Sequence, residues 1–354
     1  MLSEQQQDGH LIYYPAANPI GRSKLLLHVN GVSSTYASQL RDIEALVWLT
    51  LNYSFDIVGI HNSTEGFRTD IIECLLGKAE LFRFWSEHQT SESQERLRGY
   101  ADILAVLTAH DLAPDTDIIQ EVQRLRPDVA SHSKKPFFDL ELIQQLPFLQ
   151  KTSWSEFEFY FYGAYPAGAP KPTLRLAYEI LRGIKAGCEV FVVAHSQGMI
   201  IAAIAFHILH TFFGSYGKWT EMIRFIGYGP AIMFEDLPPN LGAQTVMIQH
   251  RQDLVAESFS NIRNINLWSN VQTQFTNALA RAEELARVIN HNSHHSASFY
   301  LGIAGGESSD RSAQLISLLL GEDWKTSPAI QSLRASRIII EVASTETLAR
   351  REST

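Results

Sequence analysis

The stretch Cys188-Glu189-Val190-Phe191-Val192-Val193-Ala194-His195-Ser196-Gln197-Gly198-Met199-Ile200-Ile201-Ala202-Ala203-Ile204-Ala205 decides the architecture. Glu189 to His195 is a short apolar run rich in β-branched residues, which predicts a strand buried on both faces. Met199 onward is apolar all round and predicts a buried helix. Only Ser196, Gln197 and Gly198 separate the two. So tight a turn crowds the residues two before and two after Ser196, and only small side chains fit there. Those residues are Ala194 and Gly198. Ala202, Ala203 and Ala205 let the helix lie close to the strand layer. The apolar stretch runs on to Phe213, but His207 and His210 interrupt it. It is too short to cross a bilayer, so no transmembrane segment is expected.

Working outward, further strand-like runs cover Leu11–Tyr14, Lys24–Asn30, Phe55–His61, Ile223–Tyr228 and Thr245–His250, and helical patterns alternate with them. That alternation predicts an α/β fold, a mostly parallel sheet with helices on both faces. Ligands of such sheets gather at the carboxyl ends of the strands. Between His61 and Glu189 lie far more residues than the dozen or so that a crossover needs, which predicts a large helical insertion. Thr69–Trp85 carries Ile71, Ile72, Leu75, Leu76, Leu81 and Phe82 at near-helical spacing, and Gln94–Thr108 continues the pattern. Phe157–Tyr165 reads as a strand or an aromatic loop, Pro166–Pro172 as turn chemistry, and Thr173–Ala186 as a helix. The expected organisation is a core of residues 1–64 and 172–344, an insertion over 65–171 and a flexible tail over 345–354. Ser336–Ala343 reads equally as a final strand or a helix.

Of 354 residues, 45% are hydrophobic and 19% charged, ample for a buried core and unlike a disordered chain. The net charge of −9, with no dense Lys/Arg cluster, argues against nucleic acid as a partner. Cys74 and Cys188 show no metal-type spacing, and Met1-Leu2-Ser3-Glu4-Gln5 lacks a basic segment followed by an apolar one. These features predict a cytoplasmic chain.

A serine at a strand-to-helix turn is either a helix cap or a nucleophile held clear of the sheet. Ala194-His195-Ser196-Gln197-Gly198 differs from the G-x-S-x-G pattern of such nucleophiles only by a methyl group at position 194. With the strand before it and the alanine-rich helix after it, the run resembles the α/β-hydrolase superfamily, especially its lipase and esterase branch. The resemblance covers roughly Lys24–His61 and Cys188–Tyr300 and leaves out the insertion. It implies the chain order serine, then acid, then histidine. Asp253, just past the run Thr245–His250, resembles the Asp-x-Val turn of many lipases and is the candidate acid; Asp236 is the competitor. In Asn290-His291-Asn292-Ser293-His294-His295-Ser296-Ala297-Ser298-Phe299-Tyr300-Leu301, the family's histidine before serine and near Tyr-Leu falls on His295, with His294 one residue away. The cluster His291, His294 and His295 also has the look of a metal site, though no acidic or cysteine ligand lies beside it. The resemblance implies oxyanion donors at the amides of Gln197 and Val32. Gly31 permits the turn, and Asn30 stands where the family usually has histidine. His28, His61 and His195 are given no proton-transfer role.

Together these features imply a serine hydrolase of carboxylic esters that needs no cofactor, with a small-molecule or lipid ester as substrate. The insertion is expected as a lid, in which Leu81, Phe82, Phe84, Trp85, Phe137, Phe138, Phe148 and Trp154 line an acyl pocket or form the insert's own core. Alternatives are a thioesterase, acyltransferase or peptidase on the same scaffold, or a non-catalytic binding protein.

Overall fold

Seven extended segments assemble into one sheet: β1 (Leu11–Tyr14), β2 (Lys24–Val29), β3 (Phe55–Ile60), β4 (Glu189–His195), β5 (Ile223–Tyr228), β6 (Thr245–His250) and β7 (Ser336–Ile340). The computed structural model describes residues 3–14, 24–50, 55–64, 66–85, 91–127, 169–214, 218–260 and 293–341. Across the sheet the order is β1-β3-β2-β4-β5-β6-β7, and every neighbouring pair is parallel except β1 against β3. Chain order therefore runs outward from β2 to β3 in one direction and from β4 to β7 in the other, with β1 added outside β3. β2 and β4 are neighbours, with Val29 beside Ala194. A crevice opens at such a reversal, at the carboxyl ends of the strands.

The alternation of an extended chain sorts each apolar run onto two faces. In β4, Val190, Val192 and Ala194 join one cluster, while Phe191 and Val193 join the other. Against the second face lie α1 (Tyr36–Leu49) through Ile43 and Leu46, and a helix over Glu307–Gly321 through Ile316, Leu319 and Leu320. Against the first lie α2 (Phe67–Phe84), α3 (Ser91–Leu107), α4 (Ile118–Leu125), α5 (Pro170–Lys185) and α6 (Gln197–Phe213). The remaining two helices of interest are α7 (Leu254–Ser260) and α8, the helix Glu307–Gly321. In α6, Met199, Ile200, Ile201, Ile204, Phe206, Ile208 and Leu209 are all buried. Each contributes about 1.5–3 kcal/mol of transfer free energy, so the element after Ser196 is firmly seated.

The undecided segment at Ser336 is strand β7, because Val246–His250 of β6 offers it a parallel partner. Its short apolar run had no period to tell strand from helix. α5 begins at Pro170, ahead of the predicted Thr173, because prolines fit the first turn, where an amide has no helical acceptor anyway. α4 had no counterpart in the sequence prediction; Asp117 caps it by accepting from the amides of Ile119 and Gln120. Leu81 and Phe84 do not make a separate small core of the insertion. They belong to the cluster that also holds Ile200 and Ile204 of α6. Gly77 allows this approach, since a Cβ there would lie 2.5 Å from Ile200 Cγ2. Phe137, Phe138, Phe148, Trp154, the run Phe157–Tyr165 and the tail 345–354 fall outside the described residues. Among the described residues no helix is long and apolar enough to cross a membrane.

Candidate functional site

β4 ends at His195 and α6 begins at Gln197, so Ser196 alone makes the turn. Its backbone is at φ 49°, ψ −118°, a conformation that costs an L-residue about 1–3 kcal/mol. Its side chain makes no capping hydrogen bond to the helix, which removes the helix-cap reading. The strain is held by close packing. A Cβ on Gly198 would sit 2.8 Å from the Asn30 carbonyl oxygen and closer still to that of Val29. A Cβ on Gly31 would lie 2.8 Å from Ser196 Cβ. The end of β2 is therefore pressed against the turn that carries the serine.

Ser196 Oγ lies 2.9 Å from His295 Nε2. On the other side of the ring, His295 Nδ1 lies 2.9 Å from both carboxylate oxygens of Asp253. A carboxylate only accepts, so Nδ1 carries the hydrogen and the Nε2 lone pair faces the hydroxyl. Asp253 is fully buried, and two further donors hold it: the Tyr300 hydroxyl at 2.7 Å and the Ala256 amide at 2.9 Å. Burial alone would push its carboxyl up, but His295 and these donors together keep it below the ordinary carboxylate range. Tyr300 in turn accepts from the His250 amide at 3.0 Å. His294, one residue from His295, sets its ring edge-on to Phe299, with centroids 4.9 Å apart.

Asp236 is placed elsewhere. It accepts from Lys78 Nζ at 2.6 Å, Trp85 Nε1 at 3.1 Å and the Met233 amide at 2.9 Å, and so ties α2 to the loop after β5. His291 lies outside the described residues. Among those described, no group of three or more His, Cys, Asp or Glu side chains could hold a metal ion.

Gln197 opens α6, so its amide is among the first helical N–H groups, which lack an intrahelical acceptor and favour negative charge. Across from it, the Gly31-Val32 turn is braced by a polar network. Asn30 and Asn62 pair reciprocally: Asn30 Nδ2 donates to the Asn62 carbonyl at 2.7 Å, and the Asn62 amide to Asn30 Oδ1 at 2.8 Å. Asn62 Nδ2 then donates to Gln197 Oε1 at 2.9 Å, and Gln197 Nε2 to Glu73 at 2.8 Å. Asp70 accepts from the Ser33 amide at 2.6 Å and the Thr64 hydroxyl at 2.9 Å, which fixes Ser33 at its positive φ of 54°. Asn30 thus serves as a clamp between the ends of β2 and β3.

Asn62, Asp70, Glu73 and Tyr300 had no place in the predicted site. Only Tyr300 had a usable signal, because it belongs to the Tyr-Leu pair that located His295. Three further histidines near the strand ends, His28, His61 and His195, are buried. Burial holds His28 down to about 3, and its Nε2 shares a 2.8 Å hydrogen bond with the Tyr228 hydroxyl. His61 Nδ1 meets Gln39 Oε1 at 2.8 Å. His195 Nε2 lies 2.7 Å from the carbonyl oxygen of His295. Comparison of the chain with family models, curated proteins and solved structures finds no match.

Proposed function

We propose that this chain is a serine hydrolase of the α/β-hydrolase kind, which cleaves carboxylic esters of apolar acyl groups through an acyl-enzyme. The observation that carries the reading is the hydrogen-bonded series Ser196 Oγ, His295 Nε2, His295 Nδ1 and Asp253, at 2.9 Å per link. It sits on a strained serine where the strand order reverses. The same order along the chain, serine before acid before histidine, supports the superfamily assignment.

In this reading Ser196 Oγ attacks the ester carbonyl carbon while its proton passes to His295 Nε2. The carbonyl oxygen becomes an oxyanion, received by the amides of Gln197 and Val32; losing one such donor costs about 3–4 kcal/mol of barrier. Asp253 stabilises the imidazolium and keeps its orientation. Collapse of the intermediate breaks the bond to the alkoxy oxygen, which leaves as the alcohol with the proton from His295. A water molecule then repeats the sequence: His295 takes its proton, the acyl carbon is attacked, and Ser196 is released. Apart from substrate and water, these steps use only side chains and backbone amides.

A fluorophosphonate probe tests the reading. Wild type is expected to be labelled and Ser196→Ala not; unlabelled wild type overturns the proposal. Rates on p-nitrophenyl esters are expected to rise from acetyl to longer acyl chains. Cleavage of acetyl esters alone would overturn the apolar-acyl part and leave the esterase reading intact.

A further inference from the structure

His295 is carried on a short 3₁₀ turn, Ser293–His295, that leads into the helical turn Ala297–Tyr300. Asp253 holds one edge of its ring, and a ring so carried also needs its backbone fixed. That backbone has a side-chain partner: His195 Nε2 lies 2.7 Å from the His295 carbonyl oxygen. His195 is the last residue of β4 and adjoins Ser196, so alternation sends its ring to the face opposite Ala194. There it stacks on Tyr228, with centroids 5.0 Å apart and planes at 23°, and the His295 ring is also 5.0 Å away. Tyr228 is pinned in its turn by His28. Gly229, at φ +56°, leaves room for both rings: a Cβ there would lie 3.1 Å from His195 Nε2 and 3.3 Å from His295 Cε1. A Cβ on Gly31 would come within 2.7 Å of His195 Nδ1, so the ring also borders the turn after β2.

We infer that His195 is a positioning residue: its Nε2–H···O=C bond to His295 sets the backbone from which the base reaches Ser196. A carbonyl only accepts, so Nε2 carries the hydrogen. Burial, with His295 beside it, pulls His195 down to about 3, so the ring stays neutral and this donor is kept. The strand that presents the serine thus also clamps the base, and the spacing of the two reacting groups does not depend on the loops alone. The inference rests on the serine-hydrolase reading.

Two amide side chains separate the clamp from simple packing. The amide nitrogen of glutamine is as many bonds from Cα as imidazole Nε2, whereas that of asparagine matches Nδ1 and falls short of the His295 carbonyl. We expect His195→Asn and His195→Phe to lower the rate of fluorophosphonate labelling and kcat on a p-nitrophenyl ester about 100-fold, the loss typical of a misplaced reacting group, with KM within about threefold. His195→Gln is expected to restore both to within about fivefold of wild type. Asn or Phe variants at wild-type rates, or a Gln variant no faster than the Asn variant, would overturn the inference. If thermal melts show the Asn and Phe variants unfolded, the Gln variant decides alone: near-wild-type kcat supports the clamp, and a 100-fold loss refutes it. Unlabelled wild type would instead defeat the serine-hydrolase reading, and the clamp with it.

Discussion

A single methyl group on Gly198 tests whether the closeness of β2 to the serine turn matters for rate. The added Cβ would lie 2.8 Å from the Asn30 carbonyl oxygen and nearer to that of Val29. Ordinary carbon–oxygen contact begins near 3.4 Å, so the end of β2 must retreat by about 0.6 Å from the first atom and about 1 Å from the second. Both atoms are backbone, and no rotamer change relieves the clash. Asn30 leads directly into Gly31-Val32, so the proposed oxyanion donor moves with it, while Ser196, His295 and Asp253 stay in place. A displacement of about 1 Å at a reacting group costs about 100-fold in rate, or about 2.7 kcal/mol of barrier. Gly198→Ala is therefore expected to lower kcat on a p-nitrophenyl ester about 100-fold with KM nearly unchanged. Overpacking also takes about 1–3 kcal/mol of stability, so a thermal melt must show that the variant is folded at the assay temperature. Gly99→Ala is the control: a Cβ there meets nothing within 4 Å, and in α3 it should stabilise by up to about 1 kcal/mol without touching kcat. A folded Gly198→Ala enzyme within twofold of wild-type kcat would refute the reasoning.

Asp253→Asn should reduce kcat about 10⁴-fold, because the amide favours the wrong tautomer of His295, whereas Asp236→Asn should leave kcat within a few-fold of wild type; equal losses would mean that the acid is misassigned. Lys78→Met strands the buried Asp236 carboxylate and should cost about 3–5 kcal/mol in urea unfolding, with kcat per folded molecule unchanged. Tyr300→Phe removes one donor from Asp253 and the hydroxyl that accepts from the His250 amide; a stability loss of about 1–3 kcal/mol and a smaller fall in kcat are expected, and an unaltered melt would contradict this. His28, His195 and His207 are held neutral by burial at about 3, 3 and 4, below their unfolded value, so the unfolded chain binds more protons as pH falls from about 6.5. Each should remove about 1.4 kcal/mol of stability per pH unit until its folded value is reached, and a urea midpoint that stays flat from pH 7 to pH 4 would exclude that.

β1 to β6 were legible in the sequence because each is a short apolar run bounded by polar or turn residues; β7 was not, because its run reads equally as a helix until β6 offers it a partner. The serine turn was legible for a steric reason: contact with β2 permits only small residues at 194 and 198. Asp253 and His295, which the structure brings into line with Ser196, were picked out through the family resemblance, one just past a strand and the other before Ser296 and Tyr300-Leu301. What stayed hidden is side-chain pairing across the chain. Asn62 reaches Gln197 over 135 residues and Gln197 reaches Glu73 over 124, and a single polar residue at each position produces no period. Asp236 could be told from Asp253 only once Lys78 and Trp85 were seen to fill its acceptor sites. The start of α5 was missed because proline inside a helix breaks it, while proline in the first turn does not.

The reversal of strand order between β2 and β4 puts two separate polar networks on either side of the Ser196 turn. On the β2 side, Asn30, Asn62, Gln197 and Glu73 fix the turn that faces the serine. On the other side, His195, Asp253 and Tyr300 fix the ring and backbone of His295. Nearly all of these groups are buried, and a buried polar group left unmatched costs more than a matched one returns. Each network is therefore stable chiefly in its fully paired arrangement, and that arrangement leaves the Nε2 lone pair of His295 aimed at Ser196. The strain at Ser196 persists because packing on both sides over-determines it: Gly198 and Gly31 on the β2 side, and the seated α6 behind. Under the proposed function, the substitutions above are therefore expected to separate into those that move a reacting group and those that only unseat the fold.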